Sequence, residues 1–179
     1  MRLSFHPCRP SLLCVAIMLV LAASAAAARS QSWREYRPAG AGYRIEMPGT
    51  PKVSPVPVSR NGEATTMIEA AVEVSGALYV ATHAFYEPRV LIGKEPRQLL
   101  IDAMNGTAKG HMLRDNKEIS VAGFPARDFI IEQKGNIIWV MRTAMRENCL
   151  YQIVVAMAGG TPDRPDTRRF IDSFDLVPR

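Results

Sequence analysis

Three side chains in this sequence carry chemistry that a strand-rich domain could use. They are Glu69, His83 and Cys149. Ser75-Gly76-Ala77 reads as a three-residue hairpin loop between two apolar-polar alternating runs. That loop length sets Val74 opposite Leu78, Val72 opposite Val80 and Ile68 opposite Ala84, which leaves Glu69 opposite His83 on the other face. A carboxylate beside an imidazole raises the histidine pKa and suits acid–base work. The ordinary account of the pair is an exposed cross-strand ion pair worth about a few tenths of a kcal/mol, and that is the reading adopted. Cys149 follows Arg146 closely, and a nearby cation lowers a thiol pKa. A thiol nucleophile also needs a positioned base, and neither His83 nor His111 has a sequence tie to it. Cys149 is therefore read as a small buried hydrophobe at a strand start.

Other chemistries find less support. The spacing of His83 and His111, with no matching Cys or Glu, does not resemble a zinc site. Asp163 and Asp166 lack the alternating oxygen ligands of a calcium loop. Gly159-Gly160-Thr161 sits between a strand and a helix but lacks the Lys-Ser/Thr pair of a phosphate loop. No catalytic residue, metal or cofactor is assigned. Trp139 and Met141 share one face of their strand, and Tyr151 and Ile153 one face of the next. Those four are a candidate apolar patch if helices leave one side of the sheet uncovered. The favoured expectation is that they are core.

The elements that must position these residues follow from periodicity. Gly42 to Met47 alternates apolar and polar, a first strand. Lys52 to Val58 carries Pro55 and Pro57, which confine it to a sheet edge. Arg60-Asn61-Gly62-Glu63 is a hairpin turn. Strands are expected over 64–74, 78–85, 111–121 (an edge), 126–132, 137–145 and 149–157, with the last so apolar that it belongs at the centre of the sheet. Residues 86–93 are expected to form a loop. Helices are expected over 96–107, with Pro96 at the start, and over 163–173, burying Phe170, Ile171 and Phe174. Tight turns between successive strands argue for an α+β fold, an antiparallel sheet with helices packed on it.

Residues 1–28 have the order of an export signal. Arg2 and Arg9 come first, then the apolar run Leu12 to Leu21, then the small residues Ala22 to Ala28. The run is shorter than the roughly 20 residues that span a bilayer. Cys14 starts that run instead of following it, unlike a lipid-modified cysteine. Cleavage within Ala25–Ala28 is expected to leave an extended lead-in over 29–41 and a single domain over 42–179. The net charge of +5 falls to +3 without Arg2 and Arg9, with both signs interspersed. No basic stripe marks a nucleic-acid surface. Cys8 and Cys14 leave with the signal, so Cys149 has no intramolecular partner and the core alone must hold the fold.

Three segments in order are familiar. They are Tyr43-Arg44-Ile45-Glu46-Met47-Pro48-Gly49-Thr50-Pro51, then Gly123-Phe124-Pro125-Ala126-Arg127-Asp128-Phe129, then Cys149 to Val155 followed by Arg169-Phe170-Ile171-Asp172-Ser173-Phe174. Together they resemble exported bacterial domains of the PsbP-like fold, an α/β/α sandwich around an antiparallel sheet. The resemblance covers about Gly42 to Val177. Its motifs are turns and helix ends, and they carry over no functional residue. The expectation is an exported, non-catalytic accessory or binding module of the cell envelope, whose partner is another envelope protein or a small apolar ligand. The alternative is a small periplasmic hydrolase or thiol enzyme using Glu69–His83 or Cys149.

Overall fold

The computed structural model describes residues 32–179, apart from 61 and 62 and from the side chains of 60–63. The expected signal over 1–28 and the Asn61-Gly62 turn lie outside the described residues. The strands are β1 (Arg34–Tyr36), β2 (Tyr43–Met47), β3 (Lys52–Arg60), β4 (Glu63–Val74), β5 (Ala77–Phe85), β6 (Met112–Val121), β7 (Phe124–Gln133), β8 (Ile137–Arg146), β9 (Cys149–Ala158) and β10 (Asp175–Leu176). The helices are α1 (Pro96–Ala108) and α2 (Pro165–Asp172). The stretch expected as loop before α1 holds one 3-10 turn, Pro88–Leu91.

β9 runs Cys-Leu-Tyr-Gln-Ile-Val-Val and has apolar side chains on both faces, which suits a strand covered twice. It occupies the middle of a seven-stranded antiparallel sheet ordered β3-β4-β5-β9-β8-β7-β6. Two meanders, β3-β4-β5 and β6-β7-β8-β9, meet along the β5–β9 ladder. The fold is thus α+β, with a mainly antiparallel sheet and helices packed on it.

Each helix begins at a proline, whose missing N–H costs nothing in the first turn. The residue before a proline is pushed out of the helical region. Arg164 is accordingly extended at ψ 141, so α2 begins at Pro165, two residues later than periodicity suggests. α1 lays Met104 and Ala108 on Phe129, Ile131 and Met141, and Leu99 and Leu100 on Met145 and Leu150. The opposite face of the sheet is covered by α2 and by a small sheet ordered β1-β2-β10. Tyr43, Ile45 and Met47 of β2 join Tyr79, Tyr151, Ile153, Phe170 and Phe174 there in the largest core cluster. The segment expected as an extended lead-in contributes β1, which pairs with β2 through Glu35 opposite Glu46.

One register differs from the sequence expectation. Ser75 (φ 50) and Gly76 (φ 72) both take left-handed backbone, the signature of a two-residue type I′ loop. Val74 therefore pairs with Ala77, not Leu78. A slip of one residue turns side chains to the other face. Glu69 falls opposite Thr82, and His83 falls opposite Ile68.

Both sheet edges are blunted. β6 carries Arg114, Asp115, Lys117 and Glu118, and its register breaks between Arg114 and Lys117, with Asp115 at φ 47. On β3, Pro55 and Pro57 share one parity and withhold two donors from the free edge. Replacing both with threonine restores those donors. The double variant is expected to dimerise with rising concentration in sedimentation velocity, while the parent does not; identical sedimentation would refute edge guarding. A second expectation concerns α2. Phe170 is fully buried, with its ring centroid 5.3 Å from that of Tyr79. Phe170→Ala is expected to cost about 3–5 kcal/mol in a denaturant titration; a loss under about 1 kcal/mol would show that α2 is not a clamp on the sheet.

Candidate functional site

The structure separates the acid–base pair read from the sequence. Glu69 points to the α1 side of the sheet, between Ser54 and Thr82. His83 points to the opposite side, beneath β2, and is only 8% exposed. Its ring lies 5.6 Å from that of Tyr43 and 5.9 Å from that of Phe85, and its cross-strand neighbour is Tyr151. Burial pushes its pKa below the ordinary histidine value, because the charged form loses water without gaining a carboxylate. Nδ1 has no hydrogen-bond partner among the described residues.

Cys149 lies on the His83 side of the sheet, one step along the same ladder, opposite Phe85. It is fully buried, and burial pushes its thiol pKa up; Tyr151, Arg179 and Arg146 only partly oppose this. The Tyr151 hydroxyl donates to the Ala41 carbonyl at 2.8 Å, and burial pushes its pKa up to about 12. A neutral thiol, a neutral imidazole and a neutral phenol are therefore packed together under β2. This is a core arrangement, although no sequence pattern ties Cys149 to His83.

The four residues of the candidate apolar patch occupy two faces. Trp139 and Met141 pack with α1, whereas Tyr151 and Ile153 are sealed under β2 and α2. Their register explains this. Met141 faces Val154, and Tyr151 faces Ala144, so the two pairs have opposite parity across the ladder. They form no single exposed patch.

What the register does assemble is a polar row, one residue per strand, on the α1 side. From β3 to β9 it runs Ser54, Glu69, Thr82 and Gln152. It continues through Thr143, Arg127 and Glu118 on β8, β7 and β6. Arg127 is held by Asn116 and, at 3.6 Å, by Glu118. The Thr82 hydroxyl donates to the Gln152 carbonyl at 3.4 Å. Thr143 is fully buried, and its Oγ1 has no partner among the described residues. Buried polar groups are costly unless bonded, so such a line across an otherwise apolar sheet calls for a reason.

α1 lies over β7 and β8 and stops short of the β3-β4-β5 half. Where its cover ends, an open cleft of about 620 Å³ runs along the helix. Leu150 and Gln152 line its sheet side, and Asp102, Ala103, Gly106 and Thr107 its helix side. Lys94 and Tyr86 also border it. Lys94 is set by its own N–H, which donates to the Leu91 carbonyl at 3.0 Å. Tyr86 is set by Asn148, which bonds its backbone at both ends, at 2.9 and 2.8 Å. Asp102 accepts from Gln98 one turn earlier at 2.9 Å. The visible sequence signal was a lone polar residue at matching depth in apolar strands: Thr82, Thr143 and Gln152. Aligning them required the strand order and register. Among the described residues, no three His, Cys, Asp or Glu side chains gather as a metal site.

No protein family and no curated protein matches this chain. A crystal structure of a protein of unknown function from Pseudomonas aeruginosa is similar at 14% identity, over 76% of this chain and 85% of that one, with a TM-score of 0.33. At that score the likeness supports nothing about function.

The burial of His83 has a measurable consequence. Its folded pKa lies below its unfolded value of about 6.5. Beneath that pH the unfolded chain binds a proton that the folded chain refuses, so stability is full above about 6.5 and falls as pH drops below it. His83→Phe is expected to flatten this decline in urea midpoints compared at pH 7.5 and 5.5. Equal declines in parent and variant would show that His83 is solvated.

Proposed function

We propose that this chain is an exported, non-catalytic binding module of the bacterial cell envelope, of the PsbP-like kind. The order of residues 1–28, charged, apolar, then small, supports export. Among the described residues no helix is long and apolar enough to cross a membrane. The resemblance in the three segments supports the PsbP-like assignment, as do helices on both faces of an antiparallel sheet.

One observation carries the binding reading. The groups suited to reaction, His83 and Cys149, are buried and neutral, while the open concave feature beside α1 is walled by side chains suited to recognition. Small-molecule sites are commonly concavities of about 300–1,000 Å³ with a few placed polar groups. The lining of Lys94, Asp102 and Gln152 favours a polar occupant over the small apolar ligand expected from the sequence.

The test uses protein recovered from its native envelope. Mass spectrometry is expected to find a chain beginning near Arg29; an intact Met1 would overturn export. In that chain Cys149 is the single thiol. It is expected to react with a thiol reagent only as fast as the protein unfolds. Rapid labelling of the native state would overturn the non-catalytic reading in favour of a thiol enzyme.

A further inference from the structure

We propose that the cleft between α1 and β9 binds a zwitterionic, peptide-like small molecule, an inference that rests on the binding-module reading. The first observation is that one concavity is lined by both signs of charge. Lys94, from the turn before α1, and Asp102, from the helix, both line it. Neither forms an ion pair among the described residues. Both are exposed, and among the described residues the Asp102 carboxylate accepts only from Gln98, so a ligand with a single charge would engage one and leave the other to water. A ligand carrying both a carboxylate and an ammonium satisfies both.

The second observation concerns the floor. Gln152 presents an amide, which can donate and accept at once and so matches a peptide group. Leu150 beside it, with Ala103 on the helix, offers apolar surface to a small side chain. The volume, about 620 Å³, accommodates more than one amino-acid residue, so a short peptide fits better than a single amino acid.

The third observation is Gly106. Glycine inside a helix costs about 1 kcal/mol relative to alanine. Nothing in the packing demands it here, since a Cβ built at Gly106 would meet no atom within 4 Å. Gly106 also lacks the positive φ that favours glycine elsewhere in this chain. It does line the cleft, and any side chain at that position would project into it. Open space for a ligand accounts for a glycine that the fold does not need.

The experiment titrates isotopically labelled protein with trialanine, with its C-terminal amide and with its N-acetyl form, following backbone NMR signals. Trialanine is expected to shift Gly106, Thr107 and Gln152 with a Kd of about 1 mM or tighter. Amidation is expected to weaken binding at least tenfold in the parent and not at all in Lys94→Met. Acetylation is expected to weaken it at least tenfold in the parent and not at all in Asp102→Asn. Gly106→Leu is expected to weaken trialanine binding at least tenfold while the melting temperature holds or rises. Equal affinity for the blocked peptides, or undiminished binding to Gly106→Leu, overturns the proposal. Glucose and inorganic phosphate serve as neutral and singly signed probes. If one of them shifts the same signals and loses this in Gly106→Leu, the peptide class falls and the binding-module reading stands. If no probe shifts them, both fall.

Discussion

The pairing of β5 with β9 is the contact on which the rest of the molecule depends. It is the junction at which the large sheet joins strands distant in sequence; its other ladders are hairpins between neighbours. It brings Tyr79 against Val155, Ala81 against Ile153 and His83 against Tyr151. Without it the chain would be two small meanders, each with an uncovered edge and too little apolar surface to hide. Closing it means bringing together segments separated by all of α1 and three further strands. Contacts of that separation slow folding, because the chain entropy must be lost before the ladder compensates. Once closed, it places the most apolar strand at the centre and requires cover on both faces.

That requirement explains the arrangement of the remaining elements. On one face β2 supplies Tyr43, Ile45 and Met47, and the two ends of the described chain pin it in place. β1 pairs with one edge of β2 and β10 with the other. Arg44 reaches Glu35 at 3.4 Å and Asp175 at 3.2 Å across this small sheet, while Arg169 holds Glu46 at 2.6 Å and stacks on Trp33 at 4.7 Å. These pairs are exposed and individually worth little. Arg142 is different, with only 12% of its side chain exposed. It grips both oxygens of Asp128 at 2.7 and 2.8 Å and the Ile171 carbonyl at 2.8 Å, tying α2 to β7 and β8. Removing one partner of such a group leaves a charge with little water to answer it, which costs far more than the loss of a surface pair.

The other face is covered by α1, with Tyr86 and Leu91 packed beside it, and a helix of thirteen residues cannot roof seven strands. The candidate site lies where that roof ends. The polar row that crosses the sheet enters the cleft at Gln152, and the loop before α1 brings Lys94 to its rim. The reactive groups and the polar groups of the cleft thus lie on opposite faces of one sheet. Cys149 and His83 lie on the sealed side, where burial keeps both neutral. The lysine, the carboxylate and the amide line the open cleft.

Much of this was legible in the sequence, for local reasons. Alternation in Tyr43–Met47, the proline pair in β3, the apolar run of β9 and the i, i+1, i+4 spacing of Phe170, Ile171 and Phe174 each report a short-range periodicity or a backbone restriction. Such features determined β2 and the strands of the large sheet, the start of α1, the edge position of β3 and the central position of β9. Tertiary structure decided what depends on register. A strand repeats every two residues, so its pattern shows which side chains share a face but not which residue of the next strand lies opposite. Two left-handed residues at Ser75-Gly76, rather than three loop residues, separated Glu69 from His83. The same ladders aligned Glu69, Thr82, Gln152, Thr143 and Arg127, which no spacing along the chain connects. Composition and periodicity are properties of neighbours in the chain. A polar row built across seven strands is a property of their order, and that order is set by the distant apolar contacts that close the sheet.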